Sequence, residues 1–190
     1  MPGAMAEAEV KIRLTAEEFA RLPGVLADLG FSPTSVHDLT DHYLDYTRSS
    51  PGGYDLTRLR AAGDTWLLTE KHWVRDAGGQ AVRLEDEREI TAAEAANLLR
   101  EATPATLKKR RWEYHGPLAG STAAIALDRL VLSGRTLYFL ECELLVPRDQ
   151  AAQARENILT WMHAHLPVHD YNEAPSMLEL LLAHEGNRDC

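Results

Sequence analysis

The run Glu7-Ala8-Glu9-Val10-Lys11-Ile12-Arg13-Leu14 alternates charged and apolar residues without interruption. Successive side chains of a strand point to opposite faces. Glu7, Glu9, Lys11 and Arg13 therefore share one face, and Ala8, Val10, Ile12 and Leu14 share the other. The same two-residue period returns along the chain. Arg58 and Arg60 are in phase, as are Thr69 and Lys71. Arg83, Glu85, Glu87 and Glu89 are in phase, as are Lys108 and Arg110, and Glu141 and Glu143. Asp128, followed by Arg129, lies in an otherwise apolar run.

Working outward, strands are expected near Glu7–Leu14, Thr34–Tyr46, Tyr54–Ala61, Thr65–Val74, Val82–Ile90, Ala105–His115, Ala123–Leu132 and Thr136–Val146. Gly63-Asp64, Gly78-Gly79 and Ser133-Gly134-Arg135 are short enough for hairpins, which favours antiparallel pairing. Gly116-Pro117, Gly120 and Pro147 read as further punctuation. Helices are marked by their caps. Thr15-Ala16-Glu17-Glu18 is a capping box whose helix ends at Gly30, and Thr91-Ala92-Ala93-Glu94 repeats the signature before a helix ending near Ala102. An amphipathic stretch runs from Arg148 to Leu166 before Pro167, and a short helix from Pro175 to His184. The pattern predicts an α+β domain of about eight antiparallel strands with three or four helices.

The chain has 190 residues, with 29 Asp and Glu against 20 Lys and Arg, a net charge of −9. This length suits one domain over the whole chain, with an ordinary core. The acidic balance argues against a general nucleic-acid binder. No apolar run approaches the roughly 20 residues a membrane helix needs. Residues 1–6 show no signal-peptide pattern. The two cysteines, Cys142 and Cys190, make no disulfide framework. A cytoplasmic protein, monomer or homodimer, is the expectation. The eight histidines show no zinc-binding spacing. Trp66, Trp73 and Trp112 read as core aromatics, and Cys142 as a small buried apolar residue.

The alternating charges admit two readings. A sheet with one wet face shows them for no functional reason. A sheet curled with its apolar face outward under helices would instead turn both signs of charge inward, where they are costly unless they serve a ligand. Carboxylate pairs suit hard divalent cations, and clustered Lys and Arg suit phosphate oxygens.

Read as motifs, these residues resemble the CYTH superfamily, the triphosphate tunnel metalloenzymes. Glu7-Ala8-Glu9-Val10-Lys11 is similar to its ExExK signature. Tyr43-Leu44-Asp45, Arg58-Leu59-Arg60, Thr69-Glu70-Lys71, the Glu85, Glu87 and Glu89 run, Lys108-Lys109-Arg110, Asp128 and Glu141-Cys142-Glu143 follow in the family's order. The resemblance implies a closed eight-stranded antiparallel β-barrel, a tunnel with a charged interior and helices packed outside. It implies Glu7, Glu9, Asp128, Glu141 and Glu143 as ligands of Mg²⁺ or Mn²⁺. It implies Lys11, Arg58, Arg60, Lys71, Lys108 and Arg110 on phosphate oxygens, with Glu141, Glu143, Lys11 and Lys71 catalytic. Arg111 replaces Arg110 if the strand register slips by one, because such a slip swaps faces. Asp45 and Glu85 are weaker candidates. Many members carry a C-terminal-helix lysine where Met177 stands here; that phosphate contact is missing or comes from Arg13 or Arg83.

A small triphosphate is the implied partner, with neither nucleic acid nor membrane. Its roughly four negative charges need neutralising for phosphoryl transfer, which fixed Lys and Arg with a divalent ion accomplish. A carboxylate of the Glu141/Glu143 pair would accept the proton of an attacking water. Metal-dependent hydrolysis, with inorganic triphosphate favoured, is the leading expectation. The alternatives are a class IV adenylate cyclase, which carries a His-Phe element before ExExK that is missing here, and a non-catalytic polyphosphate-binding module. Thiamine triphosphatases place a tryptophan where this chain has Leu56.

Overall fold

All eight expected strands form, and each cap opens the helix it announced. The structure, a computed structural model, describes residues 5–49, 53–75 and 81–185. The elements are β1 (Met5–Leu14), α1 (Ala16–Asp28), β2 (Ser32–Ser49), β3 (Gly53–Ala62), β4 (Thr65–Arg75), β5 (Ala81–Ile90), α2 (Ala92–Glu101), β6 (Ala105–Leu118), β7 (Ser121–Leu132), β8 (Arg135–Pro147), α3 (Ala151–His165) and α4 (Met177–Glu185). The strands close into a barrel in the order β1-β5-β4-β3-β2-β6-β7-β8. The chain divides into two compact units, Met1–Val36 with Arg110–Ala174, and His37–Lys109 with Pro175–Cys190. Among the described residues no helix is long and apolar enough to cross a membrane. Gly78-Gly79 and Cys190 lie outside the described residues.

In the first unit, β1 pairs with β8 and β8 with β7, all antiparallel. Val10, Ile12, Ile125, Leu127, Leu140 and Cys142 are buried on one face, in a core shared with Leu22 and Leu26 of α1 and Ile158 and Met162 of α3. Fully burying each such large aliphatic side chain contributes about 1.5–3 kcal/mol, so this face is the one the helices take. The charged face is then necessarily the opposite one. Both hairpin turns have two consecutive left-handed residues, Ala119 and Gly120 at φ 51° and 80°, and Ser133 and Gly134 at 55° and 73°. That is the type I′ geometry matching strand twist.

Helix α1 begins with the expected reciprocal cap: the Glu18 N–H donates to Thr15 Oγ1 at 3.2 Å and the Thr15 N–H to Glu18 Oε2 at 2.7 Å. It ends in a Schellman motif, with Gly30 at φ 83° and N–H groups of Gly30 and Phe31 donating to the carbonyls of Ala27 and Leu26. That turn drives Phe31 into the core. Gly116, expected as turn punctuation, is instead inside β6, and the reason is Phe31. A Cβ at Gly116 would lie 2.4 Å from Phe31 Cγ. The glycine is there for close approach, not for bending.

In the second unit, β3 pairs with β2 and β4, and β4 with β5. Leu59, Ile90 and Ala95 form a smaller core, with Trp66, Leu98 and Leu99 against it. Thr91 and Glu94 cap α2 reciprocally, and Ser176 and Glu179 do the same for α4. A bulge at Leu44 shifts the β2 register, so that Tyr43 faces Arg58 but Asp45 faces Thr57.

Gly116→Ala is expected to lower stability by about 1–3 kcal/mol, through overpacking against Phe31. Urea unfolding measures it. An unchanged midpoint would mean that Phe31 rotates away without penalty.

Candidate functional site

In the first unit the register places Lys11 opposite Glu141 and Glu9 opposite Glu143. On β7 the same face carries Ala126 opposite Glu141 and Ala124 opposite Glu143. The Lys11 ammonium is 2.6 Å from Glu141 Oε1 and 3.9 Å from Glu9 Oε1. Burial alone would lower its pKa, but Glu141 and Glu9 outweigh burial and raise it. The ammonium therefore keeps its charge at neutral pH. Arg111 donates to both oxygens of Asp128, at 2.8 and 2.7 Å, and also to Glu141 Oε2. Asp128 is fully buried. A bidentate fork is the geometry that makes a buried carboxylate tolerable.

A cavity of about 180 Å³ opens on this face, lined by Arg111, Glu113, His115, Glu141 and Glu143 over a floor of Ala124 and Ala126. The two alanines make the room: any longer side chain there would fill the space beside the glutamates. Glu113 is held by the Ser35 hydroxyl, which donates to it at 2.6 Å.

In the second unit Arg60 donates to both oxygens of Asp41, at 2.6 and 3.0 Å. Burial would raise the Asp41 carboxyl, but Arg58, Arg60 and Lys109 hold it well below the usual carboxylate range. Arg58 Nη2 lies 3.7 Å from Glu85, 3.6 Å from Glu87 and 3.2 Å from Thr69 Oγ1. The Thr69 hydroxyl donates to Glu87 at 2.7 Å, and Lys71 pairs with Glu85. Lys71 and Arg60 are buried.

Of the residues named from sequence, Lys11, Glu9, Asp128 and Glu141 are brought together, and Glu143 lines the adjoining cavity. Glu7 is half-buried one step further along the face, opposite Leu145. Arg58, Arg60 and Lys71 form the second group. Lys108 and Arg110 fall on the other face of β6. Both are exposed, and the Arg110 guanidinium lies 5.4 Å over the Trp112 ring. Lys109 and Arg111 take the charged face instead. The run Lys108-Lys109-Arg110-Arg111 offers the same spacing in either phase. Trp112 packs against the first unit's core and Tyr114 is buried in it, so their phase gives the signal that settles it. Asp45 is exposed past the bulge, and Asp41 takes the inward role. Arg13 is exposed, Arg83 lies 5.8 Å over Trp73, and Met177 is buried.

Among the described residues no three His, Cys, Asp or Glu side chains converge at metal-holding spacing. Mg²⁺ typically needs only one or two carboxylates, with water and substrate phosphates completing its shell. Glu9 and Glu143, directly opposed on β1 and β8, fit that requirement by position.

The chain matches the model of the CYTH domain over residues 5–167 and belongs to that family. A conserved hypothetical protein from Pyrococcus furiosus is similar in structure, with 21% identity over 93% of this chain and 99% of that one, and a TM-score of 0.68. The PH1012 protein from Pyrococcus horikoshii OT3 is 22% identical over 92% of this chain and 98% of its own, with a TM-score of 0.64. HpAC1 from Hippeastrum, a candidate adenylyl cyclase with a dominant triphosphatase activity, is 17% identical over 93% and 95%, with a TM-score of 0.55. No curated protein matches the chain.

Arg111→Ala is expected to destabilise the protein by about 3–5 kcal/mol, because it removes the bidentate partner of the buried Asp128 charge. Arg110→Ala removes a cation–π contact and costs about 1 kcal/mol or less. Thermal unfolding of the two variants distinguishes the faces of β6; equal losses would contradict the phase described here.

Proposed function

We propose that this protein is a divalent-metal-dependent triphosphatase that favours inorganic triphosphate. The observation that carries the reading is the half-buried face where Lys11 and Arg111 are held by Glu9, Asp128 and Glu141 beside an open cavity. Family membership supports it, since CYTH proteins are generally divalent-metal dependent. A divalent ion, when bound, neutralises phosphate charge and acidifies an attacking water.

The chain's own groups have separable tasks. Lys11 and Arg111 offer N–H donors to phosphate oxygens and are already oriented by carboxylates, so little reorganisation is needed when the anion arrives. The family pattern also implies Arg58, Arg60 and Lys71 as phosphate donors; within the second unit their partners, Asp41, Glu85 and Glu87, are oxygen anions of the same kind. Both oxygens of Glu141 accept from cations, Oε1 from Lys11 and Oε2 from Arg111. Glu143, which lines the cavity, is the carboxylate assigned to take the water's proton. Hydrolysis then breaks the bond to the terminal phosphorus and releases orthophosphate and diphosphate. The cavity is lined by charged groups, Ala124, Ile125, Ala126 and the ring of His115, with no Phe, Tyr or Trp among them, so a broad stacking platform for a base is lacking there.

The test is phosphate release from inorganic triphosphate, ATP and thiamine triphosphate under Mg²⁺ and under Mn²⁺, with cyclic AMP assayed in parallel. Inorganic triphosphate should show a kcat/KM at least equal to that of ATP. Accumulation of cyclic AMP with ATP strongly preferred would replace this reading with the cyclase one. Glu143→Gln should lower kcat by about 10²–10⁴-fold, the usual worth of a positioned base, with the fold retained. Full activity in that variant would remove Glu143 from the chemistry.

A further inference from the structure

The segment between α3 and α4 makes an unusual set of contacts for an exposed connection. The His169 N–H and ring Nδ1 both lie 2.8 Å from Glu18 Oε1, while Oε2 of the same carboxylate caps α1. Burial would raise the Glu18 carboxyl, but the hydrogen bonds from Thr15 and His169 hold it down at about 2. The Tyr171 ring packs on His163 at 3.9 Å, and its hydroxyl donates to the Leu166 carbonyl. Glu173 pairs with Arg155 of α3 at 2.6 Å. Ordering such a segment costs conformational entropy, and these anchors offset it.

Its far end returns to β1. Glu173 forms a β-bridge with Ile12, and the Ala174 N–H donates to the Lys11 carbonyl at 2.9 Å. The segment therefore ends on the backbone of the residue whose ammonium sits between Glu9 and Glu141. A strand's carbonyl direction and its side-chain direction are coupled through the same φ and ψ, so fixing one constrains the other. Tyr171 packs against the first unit's core, while His169, Asp170, Asn172 and Glu173 are exposed and polar, so the segment is held chiefly by its hydrogen bonds and ion pair.

We propose that His169–Ala174 is a positioning strap for Lys11, with Ala174 and His169 acting on triphosphate binding through it. The binding consequence rests on the triphosphate reading above; the positioning does not. Displacing the strap leaves Lys11 present but its ammonium less fixed, so affinity falls while the metal-facing carboxylates are unaltered.

The experiment compares wild type with Ala174→Pro, which deletes the N–H that reaches Lys11, and with His169→Ala and His169→Gln, the last retaining a donor. The first readout is amide hydrogen exchange. Exchange at Lys11–Arg13 should accelerate about fivefold or more in Ala174→Pro and His169→Ala, the size of one lost hydrogen bond, with β7 unchanged. The second is the Kd of inorganic triphosphate by calorimetry. It should rise by about fivefold in both variants, revert in His169→Gln, and not rise further when either is combined with Lys11→Ala. Unchanged exchange at β1 overturns the strap whatever the ligand. Faster exchange with an unchanged Kd, or full additivity with Lys11→Ala, overturns its action on binding. Should wild type bind no triphosphate, the triphosphate reading and the strap's action on binding fall together, while exchange still decides the positioning. If Ala174→Pro fails to fold, the His169 pair carries both readouts.

Discussion

An ammonium with a tenth of its side chain exposed, 2.6 Å from one carboxylate and 3.9 Å from another, is the condition around which the first unit is arranged. Taking a lone charge out of water costs several kcal/mol, and pairing it restores that only with good geometry. The alternation of β1 leaves no way around this. Its apolar residues go beneath α1 and α3, so its charged residues must share the other face, and that face must supply their partners. Glu141 meets the requirement for Lys11, and Arg111 meets it for Asp128. Glu141 joins the two pairs, accepting from Lys11 and from Arg111.

The second unit solves the same problem with other residues. Arg60 has Asp41, Arg58 has Glu85 and Glu87, and Lys71 has Glu85. In both units the cations face oxygen anions before any ligand arrives. On the triphosphate function proposed above, an incoming phosphate would exchange one set of oxygen acceptors for another, with a net gain much smaller than the bare attraction of its charge. On that reading, selectivity would depend on how many oxygens are presented and where, a property of chain length in a polyphosphate.

Most of the fold was legible because its signals are local. Period-two patterning placed eight strands, and the Thr15, Thr91 and Gly30 caps bounded two helices. The site was legible wherever one phase of a strand was clearly apolar, as for Lys11 beside Val10 and Ile12, or Glu141 beside Leu140 and Cys142. It failed where the sequence was degenerate. Lys108 to Arg111 repeats charge at every position, so only the packing of Trp112 and Tyr114 could choose Lys109 and Arg111. Asp41 was hidden by the Leu44 bulge, which inverts the faces of β2 between Asp41 and Asp45. Gly116 looked like a turn because its reason, the Phe31 ring, is 85 residues away in the chain. Such long-range steric needs leave no trace in a local window.

Cys142 sits between the two glutamates in sequence and behind them in space. It is fully buried, and burial with the nearby Glu143 charge pushes its thiol up to about 12. At neutral pH almost none is thiolate, the form that reacts with disulfides and alkylating agents. Its reactivity is therefore limited by how often the sheet opens, not by the chemistry of sulfur. The protein carries a native clock for such openings at the strand that bears Glu141 and Glu143, and the labelling rate of that one atom converts directly into an opening free energy for the ground on which the site is built.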